Sequence, residues 1–119
     1  MARLAQEFRD RTKRFAAQVI RLFVKLPRAR EEVLVLGRQM IRSGTSVAAQ
    51  VRESNRARSN AEFKSKLGGA CQEADETHLW LELLREERKI DPTMTSPLEQ
   101  EATELIAIMT SIITRTPND

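Results

Sequence analysis

The sequence predicts an all-α protein folded as an antiparallel up-down four-helix bundle, and three observations lead there. Apolar residues recur at alternating steps of three and four through four separate segments. Short connections rich in proline or polar residues divide those segments. Aromatic residues make up only 4% of the chain and Tyr is absent, so the residues that favour strands are scarce while helix formers abound. With 119 residues the chain suffices for one domain with a single core.

The spacing predicts a first helix over roughly 3–26. Phe8, Thr12, Phe15, Val19, Leu22 and Leu26 form its stripe, and Pro27 marks its end. A second line, Ala16, Ile20 and Phe23, runs beside that stripe and is either a widened core face or a surface for another subunit. Val33, Leu36, Met40, Ser43 and Val47 carry a second helix over roughly 29–54, up to the polar string that begins at Arg52. Ser59 followed by Glu62 has the spacing of a capping box, so a third helix opens there and runs over roughly 59–89 on Phe63, Leu67, Ala70, Ala74, Thr77, Leu81 and Leu84. Gly68 and Gly69 interrupt it at a cost of about 1 kcal/mol each relative to Ala, which implies either a close helix crossing or a bend, with the crossing favoured. Ser96, Pro97 and Glu99 repeat the capping signal and place a fourth helix over roughly 97–115, striped by Leu98, Ala102, Leu105, Met109 and Ile112, with Ile106 and Ile113 on its flank. Short connections make successive helices reverse direction.

Composition excludes several classes of function. The lone Cys71 cannot close an internal disulfide, which fits a reducing, cytoplasmic setting. No stretch approaches the length of a membrane span or an export signal, so no membrane partner is expected. Di-iron bundles need repeated Glu-x-x-His motifs; Asp75 and His78 have a related spacing, but His78 is the only histidine, so no metal site is expected. Ser43, Ser46 and Cys71 would all depend on that one imidazole as a base, and no glycine-rich phosphate loop is present. The expectation is therefore no catalytic residue, no cofactor and no small-molecule substrate.

What stands out is charge and polarity. The net charge of +3 divides unevenly: residues 1–66 hold 16 Lys/Arg against 6 Asp/Glu, and residues 67–119 hold 4 against 11. Arg14, Gln18, Arg21, Lys25 and Arg28 advance by four and three, which puts them on one stripe away from Phe8, Phe15 and Leu22 and facing solvent. Antiparallel packing brings Arg52, Arg56 and Arg58 near Arg9, Arg11 and Lys13. These basic residues are the candidate nucleic-acid contacts, acting through phosphate charge because stacking aromatics are few. On the second helix Gln39, Ser43, Ser46, Gln50 and Glu53 share a polar face, and on the third Glu73, Glu76 and Thr77 stand beside small residues. Such groups bond across helices and fix register more often than they bind a ligand. Trp80 fills core or interface space on the same reading.

Gln39, Arg42, Ser43, Ser46, Val47, Ala48, Ala49 and Glu53, followed by Ser59, Phe63, Lys66, Leu67, Ala70, Glu73, Ala74, Glu76, Thr77, Trp80, Leu81 and Leu84, form a pattern that resembles the bacterial four-helix-bundle family of 23S ribosomal RNA intervening-sequence proteins. The match is close over the second and third helices and extends to the first and fourth by layout. Gln50, Ser54-Asn55 and Gly68-Gly69 depart from the family's usual residues. The resemblance implies a ring-like homopentamer and no enzyme activity. Through a related accessory protein of diversity-generating retroelements, it also implies contact with RNA or DNA and with a reverse transcriptase or other protein. The expected function is an oligomeric scaffold or accessory factor that contacts nucleic acid through the basic N-terminal half. The alternative is a protein-protein interaction module with no nucleic-acid role.

Overall fold

The computed structural model describes residues 2–119 and contains four helices, α1 (Gln6–Lys25), α2 (Glu31–Asn55), α3 (Asn60–Glu86) and α4 (Pro92–Arg115). They form an elongated bundle of 50 × 21 × 19 Å in which each helix packs on its neighbours in chain order, and α1 meets α4 along the sparsest seam. Each predicted stripe turns inward. Phe15, Val19, Leu22 and Leu26 from α1 and its C-cap, Met40 and Val47 from α2, Leu67, Leu81 and Leu84 from α3, and Leu98, Leu105 and Met109 from α4 make up the core. Burial of these side chains, at about 1.5–3 kcal/mol apiece, is what holds the helices together.

The second apolar line of α1 divides. Ala16 is buried and Phe23 half-buried, whereas Ile20 remains 42% exposed, as does Val24 on the next turn at 60%. On α4, Ile106 and Ile113 pack against the core, so the apolar surplus of that helix is absorbed within the chain.

Three helix termini differ clearly from the sequence expectation. α1 starts at Gln6, because residues 3 and 4 are strapped to the α2–α3 connection: Asn55 Oδ1 accepts from the Arg3 and Leu4 amides at 3.0 and 2.9 Å, and the Arg3 guanidinium lies over the Phe63 ring. α3 opens as expected, with Ser59 accepting from the Glu62 amide at 3.0 Å, and Asp119 accepts from the Asn60 and Ala61 amides. It ends at Glu86, where the chain turns through Lys89 in the left-handed region, φ 59°, to bury Ile90.

The largest correction is at α4, which begins at Pro92 and not at Pro97. Asp91 is the cap, accepting from the Thr93 amide at 2.9 Å, and Pro92 takes the first helical position, where a missing N–H costs nothing. Pro97 therefore lies inside the helix, one turn further on, where its ring removes a single bond to the Thr93 carbonyl. Ser96 is exposed and caps nothing, and Glu99 points to α3 instead of back along its own helix.

The glycines also sort differently. α3 continues through Gly68 and Gly69 as one uninterrupted helix. A Cβ at Gly69 would meet only the flexible end of Gln50, and at Gly68 it would meet nothing. The close crossing lies between α1 and α2 instead, at Gly37 against Leu26 and Phe23 and at Gly44 against Val19. Gly68→Ala should accordingly stabilise the fold by about 0.5–1 kcal/mol through helix propensity alone. A thermal melt that rises by a few degrees would show it, and a fall would contradict the open space found there.

Candidate nucleic-acid interface

Ten basic residues were expected to act together, and the bundle distributes them among distinct surroundings. Arg14, Arg21 and Lys25 are exposed and, with Gln18, form one wall of a groove between α1 and α4. Thr93, Met94, Pro97 and Leu98 of α4 form the other wall, Leu22 lies at the floor, and the cavity measures about 500 Å³. Among the described residues these three cations make no ion pair. Their stripe lies along the α4 seam, so the predicted row of solvated charge is also the wall of a groove.

Arg11 sits at one end of that groove in a different state. It forks onto Glu101 at 2.7 and 2.8 Å and reaches Glu104 at 2.8 Å. Gln100 and then Arg11 draw the Glu104 carboxyl below its ordinary range. A guanidinium held this way closes the seam between α1 and α4, and it is not available to a phosphate as the sequence reading supposed. Arg28 lies past the end of α1 in the turn after Pro27, so the stripe stops at Lys25.

Four of the six residues expected at the other end of α1 come together, without Arg11 and Arg58. Arg9 and Lys13 of α1 face Arg52 and Arg56 of α2 across a smaller cavity of about 280 Å³ that also contains Asp10 and Asn55. Arg9 spends its Nε on the Leu4 carbonyl, and Arg58, 90% exposed, lies 3.7 Å from Glu62. Lys13, Arg52 and Arg56 are exposed.

Several of the polar residues on α2 and α3 pair with one another across the two helices. Ser43 and Thr77, both wholly buried, bond hydroxyl to hydroxyl at 2.7 Å; each has one hydrogen, so one donates to the other and the acceptor donates to its own helix carbonyl, Met40 for Ser43 or Glu73 for Thr77. Arg42 reaches Glu73 at 3.6 Å and Glu76 at 3.2 Å, and Lys66 reaches Glu53 at 3.1 Å. Ser46 is half-buried and Gln39 exposed. Trp80 packs against the core with its indole N–H buried and without an acceptor among the described residues.

Sequence reasoning missed the pair that joins α3 to α4. Arg85 grips Glu99 through Nε at 3.0 Å and Nη2 at 2.9 Å. That hydrogen bonding holds the Glu99 carboxyl below its usual range although burial works in the opposite direction. The two residues lie 14 apart across a turn, and the only available hint was a Glu adjacent to the α4 stripe.

Other reactive groups have ordinary surroundings. Burial pushes the Cys71 thiol up, away from the reactive thiolate. His78 Nδ1 lies 2.8 Å from Glu82 on its own helix, and among the described residues no group of three or more His, Cys, Asp or Glu is placed to hold a metal ion. Among the described residues no helix is long and apolar enough to cross a membrane.

Residues 6–111 match the family model described as 23S rRNA-intervening sequence protein. The chain belongs to this family. A crystal structure of a protein of unknown function from the S23 ribosomal protein family of Bacteroides thetaiotaomicron VPI-5482 shares its fold with a TM-score of 0.82 and 35% identity, over 89% of this chain and 97% of that one. Among curated proteins there is no match. The resemblance carried by the residues from Gln39 to Leu84 is thus the family's own, and the membership reaches well into α1 and α4.

Proposed function

We propose that this intervening-sequence family protein is a non-enzymatic, homo-oligomeric scaffold or accessory factor that contacts RNA or DNA through the basic surface of α1. The observation that carries this reading is the difference between Arg11 and its neighbours on the same face. Arg11 is neutralised by Glu101 and Glu104, whereas Arg14, Arg21 and Lys25 project unpaired from one face over about three turns. Three unpaired cations spaced along one helix suit a ligand that repeats its negative charge, and a polyphosphate backbone does so.

Assembly follows from a separate feature. Ile20 and Val24 expose apolar surface on α1 beside the charged face, and covering it with a second copy would repeat the basic stripe around the particle. The resemblance to known family members favours a pentamer, and light scattering after size exclusion measures that mass directly. The binding test is fluorescence anisotropy with labelled RNA and DNA. Affinity should be poorly sequence-specific and should fall by about tenfold or more between roughly 50 and 200 mM salt. A protein that binds neither nucleic acid at low salt, but captures a protein partner, supports the interaction-module alternative.

A further inference from the structure

From the walls of the α1–α4 groove we infer that its ligand is a single strand, with phosphates on α1 and a splayed-out base against α4. The inference rests on the nucleic-acid reading above and sharpens it to one class of strand. The groove has two unlike sides. Arg14, Arg21 and Lys25 supply positive charge along α1, and the facing side of α4 presents half-buried Met94 and exposed Pro97 beside Thr93, with buried Leu22 and Leu98 between the walls and Glu101 at the end held by Arg11.

A duplex offers phosphates outward and keeps its bases stacked inside, so it would use the cationic wall and leave the apolar one wet. A single strand presents both chemistries to one groove. The volume of about 500 Å³ accommodates a nucleotide with its base. The negative group that lines this groove does not oppose such a ligand, because Glu101 is already bound by Arg11 at 2.7 and 2.8 Å. Nor do the amides at the start of α4 compete for the phosphate: Asp91 takes the Thr93 and Met94 N–H groups through its side chain and its carbonyl. Phosphate recognition therefore falls to the α1 side chains and base contact to Met94 and Pro97. The second basic cavity, between α1 and α2, lacks this division, since its lining is largely polar and includes Asp10 and Asn55.

Competition binding of the full chain decides the matter, with a short poly(U) RNA, the same strand annealed to poly(A), and uridine monophosphate as probes. The single strand should bind at least about tenfold more tightly than the duplex, and the monophosphate far more weakly than either. The double variant Met94→Gln and Pro97→Gln leaves the α1 cations in place and should abolish that preference while leaving duplex affinity unchanged. Circular dichroism establishes whether the variant is folded. Independently of any variant, a thiouridine-substituted strand should photo-crosslink wild-type protein at residues 93–98. Equal or tighter duplex binding, a monophosphate that competes as well as the strand, or crosslinks confined to the α2–α3 connection would each overturn the inference and leave the broader nucleic-acid reading standing. Failure of every probe to bind would overturn both.

Discussion

Phe15→Ala should cost about 3–5 kcal/mol of folding stability, the loss expected when a fully buried ring leaves a cavity that a helix bundle closes only in part. Phe15 is 0% exposed and packs in the same core as Val19, Met40 and Leu81. Domains of this size are stable by only about 5–15 kcal/mol, so the variant would give up a large share of the total. Denaturant unfolding monitored at the helix signal measures the change. Phe8 provides the internal comparison, because it is only half-buried near the start of α1. The same truncation there should cost clearly less, and equal losses at the two positions would contradict the core as described.

Glu99→Gln should destabilise the protein by about 1–2 kcal/mol at neutral pH, within the range for a hydrogen bond to a charged group and reduced because Arg85 stays partly in water. The Glu99 side chain is 11% exposed and Arg85 30%. The sign with pH follows from the direction of the shift. The folded carboxyl lies below its ordinary value, with the Arg85 hydrogen bond as the leading cause. Its contribution is therefore complete above the unfolded value of about 4.3 and is lost as pH falls through the lowered folded value. Stability curves for wild type and variant should separate at neutral pH and converge at the acid end. A constant gap across the range would mean that Glu99 acts through packing and not through its charge.

Most of the bundle was legible in the sequence because helical periodicity is a local property. Phe15, Val19, Leu67, Leu81 and Met109 follow from spacing alone, and Ser43 and Thr77 fall on the stripes that bring them into contact. The start of α4 was less legible because Asp91-Pro92 and Ser96-Pro97 carry the same signal. Only tertiary packing, which buries Thr95 two residues before Pro97, favours the earlier one. Gly37 and Gly44 went unremarked while Gly68 and Gly69 attracted notice: a glycine's importance depends on what lies across the helix interface, and no spacing rule reports that.

The basic site was half-legible for a similar reason. The step of four and three from Arg14 to Lys25 was visible, but the apolar wall facing it comes from residues some seventy positions away. The ion pair that removes Arg11 from the stripe is equally remote, with Glu101 separated from it by 90 positions. Charge alone cannot say which cations are already spent.

The salt dependence of RNA binding, compared between wild type and the triple variant Arg14→Gln, Arg21→Gln and Lys25→Gln, tests contact through α1 most directly. Each phosphate contact contributes about 0.7 to the slope of log affinity against log salt for a single strand, so loss of three contacts should flatten the slope by about 2. The variant should retain its helix content and its mass, since none of the three side chains forms an ion pair within the described chain. Weaker binding together with a flatter slope is the predicted result. An unchanged slope would show that the phosphates lie elsewhere, and would contradict the assignment of this groove.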